Sequence, residues 1–324
     1  MTISDTLRTI ACRPFAMLAV LGALVLAGAG VRNARAERFD HGGIERTYQI
    51  FVPPGLALPA PAIFVLHGGG GEAAQIRRMA GFDALAVRAG FVAVYPQGEG
   101  RQWSDDRNAP TVLSNIGKPA VDDKDFLTAL AAHLVATQTA RPERIAVAGI
   151  SNGGMMALSL ACDPDSARTF NAFIPVIANL PAPAKDACAP GRPVPVLIMN
   201  GTEDLLIPID GGPVAPMFFG DRGSVLSLDE TLSVLGRVNG CTLPLDDVAE
   251  PRDVGNGITL HARRADGCRA GGALDLMLFQ GMGHRWPGGG WLPPRMRPIR
   301  GEAPDGFPVA EVIWSFASRF ILTP

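Results

Sequence analysis

Charge is sparse in this chain and nowhere concentrated: charged residues make up 19% of its 324 positions, with 29 basic and 31 acidic side chains. A nucleic-acid footprint needs clustered basic residues that neutralise phosphates, so that class of function is excluded. Histidine is scarce, with five in all, and neither an H-E-x-x-H motif nor a paired C-x-x-C occurs. A metal site therefore has no ligand set to rest on. No repeat, low-complexity tract or linker divides the chain after residue 36, so one domain is the simplest organisation. Long apolar runs are lacking too. The run from Phe15 to Val31 falls short of the roughly 20 residues a membrane-spanning helix needs, and Gly22, Gly28 and Gly30 interrupt it. What the chain does have is 47% apolar composition, enough to fill a large core and incompatible with a disordered or fibrous protein.

The first residues differ in kind from the rest. Arg8 and Arg13 precede the apolar run, and Ala34-Arg35-Ala36 supplies the small residues of a cleavage site. This pattern predicts a signal peptide over 1–36 and a mature domain over 37–324, exported to the periplasm or beyond, with no membrane anchor once the leader is cut. Losing Arg8, Arg13, Arg32, Arg35 and Asp5 leaves a mature net charge of about −5. Cys12 goes with the leader. Cys162, Cys188, Cys241 and Cys268 remain, an even number in an oxidising compartment where paired thiols persist. Four cysteines allow three connectivities. The expected one pairs Cys162 with Cys188 and Cys241 with Cys268, closing two loops of similar length.

Short runs over 47–52, 62–66, 91–95, 145–148, 172–177, 194–199 and 274–279 are mostly apolar without alternation. Strands read this way when both faces of a parallel sheet are covered. Between them lie helical stripes: Ile76, Met79, Phe82 and Leu85; Phe126, Leu127, Leu130 and Leu134; a segment starting at Ser227 with Glu230 in capping-box spacing; and Val312, Ile313, Phe316 and Phe320. Asp122 and Asp123 stand where the second stripe needs a cap. The alternation predicts an α/β fold with a mostly parallel central sheet and helices on both faces, its ligands bound beyond the carboxyl ends of the strands.

Chemistry gathers at those ends. Gly149-Ile150-Ser151-Asn152-Gly153 has the form G-x-S-x-G, directly after the run 145–148 and directly before the helical pattern from Met155. The five letters alone are weak; the strand-turn-helix setting gives them weight. A nucleophilic serine exposed on a tight turn needs flanking glycines so that neighbouring backbone can pass. Its hydroxyl needs a neutral imidazole to take the proton and a carboxylate to orient that imidazole. Asp204 follows the run 194–199, and His284 follows 274–279 in Gly281-Met282-Gly283-His284, giving the order serine, acid, histidine. Glu203 and Asp210 are fallback acids. His67-Gly68-Gly69-Gly70-Gly71 closes the run 62–66 and suits an oxyanion-hole loop, with the N–H of Gly69 as one donor and that of Asn152 as the other. His67 itself reads as a structural hydrogen-bonder. His41, His133 and His261 have no catalytic setting. Trp103, Trp286 and Trp291 lie in loops near the expected site, with Trp103 and Trp286 taken as substrate contacts.

These blocks resemble the polyhydroxybutyrate depolymerase-like and feruloyl-esterase-like exported esterases. Arg46-Thr47-Tyr48, the loop 67–71, Tyr95-Pro96-Gln97-Gly98, Val121-Asp122-Asp123, 149–156, 201–208, Asn239-Gly240-Cys241 and 283–288 carry the likeness. It spans most of the mature chain. The resemblance implies a single α/β-hydrolase domain, no cofactor, and an ester as the partner molecule. It leaves the ester open among polyesters, feruloyl or acetyl esters and small soluble esters. No linker or polymer-binding module follows the last helical stripe, so the expectation is soluble oligomers or short and aromatic acyl esters. A peptidase of the same fold and a non-catalytic binding protein are the alternatives, which ester turnover and labelling of an activated serine tell apart.

Overall fold

Alternate residues of one strand serve two different cores, and this is what makes its sequence continuously apolar. In β3 (Ala60–Leu66), Ala62, Phe64 and Leu66 pack on one face of the sheet while Ile63 and Val65 pack on the other. The same division holds in β5 (Ala140–Ile150), with Ile145 and Val147 opposed to Ala146 and Ala148, and in β7 (Pro195–Gly201), with Val196 and Ile198 opposed to Leu197 and Met199. The computed structural model describes residues 36–109, 122–215, 220–290 and 292–322. The leader other than Ala36, Trp291, and the apolar segment Met217-Phe218-Phe219, whose pattern suits a pocket wall, lie outside them.

The sheet runs β1 (Glu37–His41), β2 (Ile44–Phe51), β4 (Val92–Pro96), β3, β5, β6 (Ala172–Val176), β7, β9 (Ala273–Gln280) and β8 (Thr259–Arg264), with two-residue strands beyond β8. From β4 to β9 every pairing is parallel; β1, β2 and β8 join antiparallel. One face is covered by α3 (Asp123–Ala136), α4 (Asn152–Cys162) and α5 (Leu228–Asn239). The other carries α1 (Ala73–Ala80), α2 (Phe82–Ala89) and α6 (Val309–Ile321). This is the expected mostly parallel sheet with helices on both faces.

Local chemistry sets the helix ends. Asp122 caps α3 by accepting from the Asp125 N–H, and Ser227 and Glu230 complete the capping box of α5. Asp123 does not cap. It is fully buried and pairs with Arg46 at 2.6 Å, also accepting from the N–H of Ser104 at 2.7 Å. The stripe from Ile76 to Leu85 is two helices rather than one, because Gly81 takes φ 75° and ends α1. Strands β1 and β8 lie outside the predicted set. Both are edge-side and half-exposed, and β8 alternates polar with apolar, so neither has a continuous apolar run. Disulfides join Cys162 to Cys188 and Cys241 to Cys268, the expected pairs.

Candidate active site

Ser151 is the single residue between β5 and α4, and its backbone sits at φ 58°, ψ −122°. A non-glycine residue there costs on the order of 1–3 kcal/mol, which only over-determined surroundings sustain. The surroundings are tight. A Cβ on Gly149 would lie 2.2 Å from the Gly153 carbonyl oxygen, and one on Gly153 would lie 2.5 Å from the His67 carbonyl oxygen. The Ser151 N–H donates to Val176 O at 2.9 Å, and its carbonyl accepts from Met155 N at 2.8 Å. Its side chain makes no cap hydrogen bond to the helix it begins.

The loops after β7 and β9 meet because the strands are neighbours. Gly201 packs so closely on Met282 that an added Cβ would lie 2.3 Å from that carbonyl oxygen, and the Glu203 N–H donates to Met282 O. This contact sets Asp204 beside His284: Asp204 Oδ2 and His284 Nδ1 are 2.8 Å apart, and both residues are buried. Asp204 Oδ1 accepts from the N–H groups of Leu206 and Ile207 at 2.8 and 2.9 Å, so both carboxylate oxygens are engaged. Glu203 and Asp210 are exposed. Gly283 lets the chain pass Arg300, whose carbonyl oxygen would be 2.4 Å from a Cβ there.

Ser151 and His284 line one cleft of about 630 Å³. Its walls are apolar at Met155, Leu206, Ile207, Val214, Trp286 and Leu292, and the loop 68–71 borders it. Arginines are present as well. Arg300 and Arg222 both line the cleft, and burial holds both guanidinium groups below their usual range. Arg107 and Arg285 also line the cleft, and Arg285 and Arg297 reach Glu302 at 3.7 and 3.8 Å.

Two backbone donors flank Ser151. The N–H groups of Gly70 and Gly71 are bonded to Arg101 O and Gly68 O, whereas Gly69 N–H has no acceptor among the described residues. Gly69 lies against Asn152, its ideal Cβ being 3.6 Å from Asn152 Cβ. Asn152 is the first residue of α4, where an amide has no intrahelical partner. His67 anchors the loop. Its Nε2 accepts from Gly98 N at 3.0 Å, which leaves Nδ1 as the donor to Gly68 O at 2.8 Å. Burial lowers its pKa to about 4 and keeps it neutral.

The structure corrects one expected substrate contact. Trp103 is fully buried beneath the loop and does not line the cleft; its Nε1 donates to His67 O at 2.8 Å. Trp286 does line the cleft, and its buried Nε1 has no partner among the described residues. Sequence reasoning missed the Leu206 and Ile207 amides and the pair Asp105–Arg107, which lies beside Asn152. Backbone donors leave no trace in residue identity, and two opposite charges in a polar loop resemble any solvated turn.

A mostly parallel sheet with a strained serine at the end of its central strand, and an acid and a histidine on the loops after β7 and β9, defines an α/β-hydrolase. The Dienelactone hydrolase family profile matches residues 49–213. The protein described as an esterase, NocK, of Nocardia uniformis subsp. tsuyamanensis is 33% identical over 257 residues, covering 76% of this chain and 72% of that protein. Feruloyl esterase B of Piromyces equi is 25% identical over 235 residues, covering 69% of this chain and 39% of that protein. Among solved structures, acetyl xylan esterase from Aspergillus awamori superposes with a TM-score of 0.54 at 14% identity, over 77% of this chain and 94% of that one. Thermogutta terrifontis esterase 2 gives 0.53 at 16% identity, over 90% and 96%. The chain belongs to the dienelactone hydrolase family and is a carboxylic ester hydrolase.

Proposed function

We propose that the protein is an exported serine esterase that works through an acyl-enzyme, with Ser151 as nucleophile, His284 as base and Asp204 as the group that orients the imidazole. The observation carrying this reading is the buried Asp204–His284 hydrogen bond at 2.8 Å, on the same cleft as the strained Ser151. Asp204 holds Nδ1 protonated, so Nε2 keeps the lone pair that removes the Ser151 proton. The alkoxide attacks the ester carbonyl, and the Gly69 and Asn152 N–H groups receive the oxyanion. Protonated His284 then gives its proton to the leaving alcohol. Water repeats the sequence to release the acid.

The substrates are soluble esters of short or aromatic acids, hydroxyalkanoate oligomers included. The apolar wall of Met155, Leu206, Ile207, Val214 and Trp286 supports an acyl group of this kind. Two disulfides and the leader pattern support export.

The test is a panel of nitrophenyl, feruloyl and hydroxybutyrate-trimer esters on purified protein, with fluorophosphonate labelling. Ser151→Ala keeps its fold and loses turnover and labelling. Asp204→Asn leaves Ser151 in place and lowers kcat by up to about 10⁴-fold through the wrong imidazole tautomer. Normal turnover in either variant overturns the assignment. Clearing of crystalline polyester film with little activity on the soluble esters overturns the substrate class alone.

A further inference from the structure

Asn152 carries an unusual burden for a helix-initiating residue. The Ser151 side chain makes no cap hydrogen bond, so no side chain from the residue before α4 secures its first turn. It is held from the side. Asn152 Oδ1 accepts from Trp103 N at 2.8 Å, and Nδ2 donates to Trp103 O at 2.9 Å and to Asp105 Oδ2 at 2.6 Å. The carboxamide is thus bonded on three sides, and the charged acceptor is the shortest of the three.

Asp105 is fixed in its turn. Arg107 Nε donates to Oδ1 at 2.8 Å and Arg107 Nη2 to Oδ2 at 2.9 Å, a two-pronged pair in which both residues are buried. Arg107 Nη1 goes on to donate to the Arg222 carbonyl at 2.8 Å. The same short segment also grips the glycine loop. Trp103 Nε1 donates to His67 O, and the Gln102 side chain lies where Gly69 would carry a Cβ, its Oε1 being 2.8 Å from that point.

We infer that residues 102–107 form a strap tying together the two backbone donors of the oxyanion hole, and that Asp105 is its positioning residue, acting through the Asn152 side chain on the Asn152 N–H. The inference rests on the proposed acyl-transfer chemistry. The physical reason is that the two donors come from separate elements, the loop after β3 and the start of α4. Both must point at one oxygen within a few tenths of an ångström for the developing charge to be met. Among the described residues, the strap hydrogen-bonds the loop after β3 at His67 O and the start of α4 at the Asn152 side chain. Asp105 touches no reacting atom; a fixed anion is the strongest available acceptor for a buried amide N–H, and Arg107 neutralises it so that it can remain there. Trp103 belongs to this strap by its indole and its backbone.

The test compares Asp105→Asn, Asn152→Ala and their combination with the parent on a soluble nitrophenyl ester. Inhibition by an alkyl boronic acid and thermal denaturation are recorded for each. Asn152→Ala keeps the backbone N–H and removes only the tether. Losing an oxyanion donor outright costs about 10²–10³-fold in kcat, so loosening one is expected to cost roughly tenfold to a hundredfold. KM stays within about twofold, and boronate inhibition weakens in step with kcat/KM, because the tetrahedral adduct presents the oxygen that the hole receives. The double variant is no slower than the worse single one, since Asp105 acts through Asn152. Unchanged kcat in folded Asn152→Ala, or kcat effects that multiply in the double variant, overturn the strap. A fall only in KM-linked rate overturns it equally. Should Asp105→Asn fail to fold, Asn152→Ala and Trp103→Phe, which removes the indole bond and keeps the ring, decide the matter by the same kcat and boronate readouts. Ser151→Ala separates the two levels: residual turnover there defeats the catalytic reading, whereas an inactive Ser151→Ala with a fast Asn152→Ala defeats the strap alone.

Discussion

At the scale of single residues, histidines of similar burial do opposite work because of what their two nitrogens meet. His284 presents one nitrogen to a buried carboxylate and borders the cleft. His67 has both nitrogens engaged by backbone, one accepting from Gly98 N and the other donating to Gly68 O, so it has no lone pair to offer a substrate. Its neutrality is structural: burial lowers the pKa to about 4 from 6.5. The unfolded chain therefore binds more protons than the native one between those values. Stability from this residue is fully present above pH about 6.5 and is lost as pH falls toward 4, by up to about 3 kcal/mol. Denaturant titrations of the parent and His67→Asn at pH 7 and pH 5 check this. The parent loses more stability than the variant on acidification, and equal losses would refute the assignment of a neutral, buried His67.

Elements matter through the space between them. Helix α4 starts where it does because Gly153 lies under the carbonyls of Leu66 and His67, and Gly154 packs on Ala178. A methyl group on Gly153 would meet backbone oxygens at 2.5 and 2.8 Å, which no rotamer change relieves. Gly153→Ala is expected to cost about 1–3 kcal/mol by overpacking and to remove most activity by pushing β3 and its glycine loop away from Ser151. Thermal denaturation with ester turnover measures both, and a stable, fully active variant contradicts this packing account. The central strands and most helices were legible in sequence, since continuous apolar runs and capping residues are local signals. The break at Gly81 was not, because Phe82 and Leu85 continue the stripe of Ile76 across it. Strand β8 was hidden by its half-exposed arginines, which only an antiparallel neighbour explains.

For the whole molecule, two covalent loops support the cores, one from the end of α4 and one after α5. Their sequence separations of 26 and 27 residues correspond to about 3–4 kcal/mol each by loop closure. Reduction with denaturant titration should therefore lower stability by several kcal/mol, and non-reduced peptide mapping should recover only these two pairs. Four alkylatable thiols in the native protein would refute the pairing. The sequence by itself determined the alternation of strand and helix and the order of Ser151, Asp204 and His284, because each rests on local pattern or on position along the chain, while it left three cysteine connectivities open. Only the tertiary structure decided that Asp204 rather than Glu203 or Asp210 meets the imidazole, that Trp103 lies under the glycine loop instead of in the cleft, and that Asp105 bonds to Asn152. Those outcomes depend on which strand ends become neighbours and on backbone amides such as those of Leu206 and Ile207, which carry the same chemistry at every position and acquire a role only when the sheet aims them.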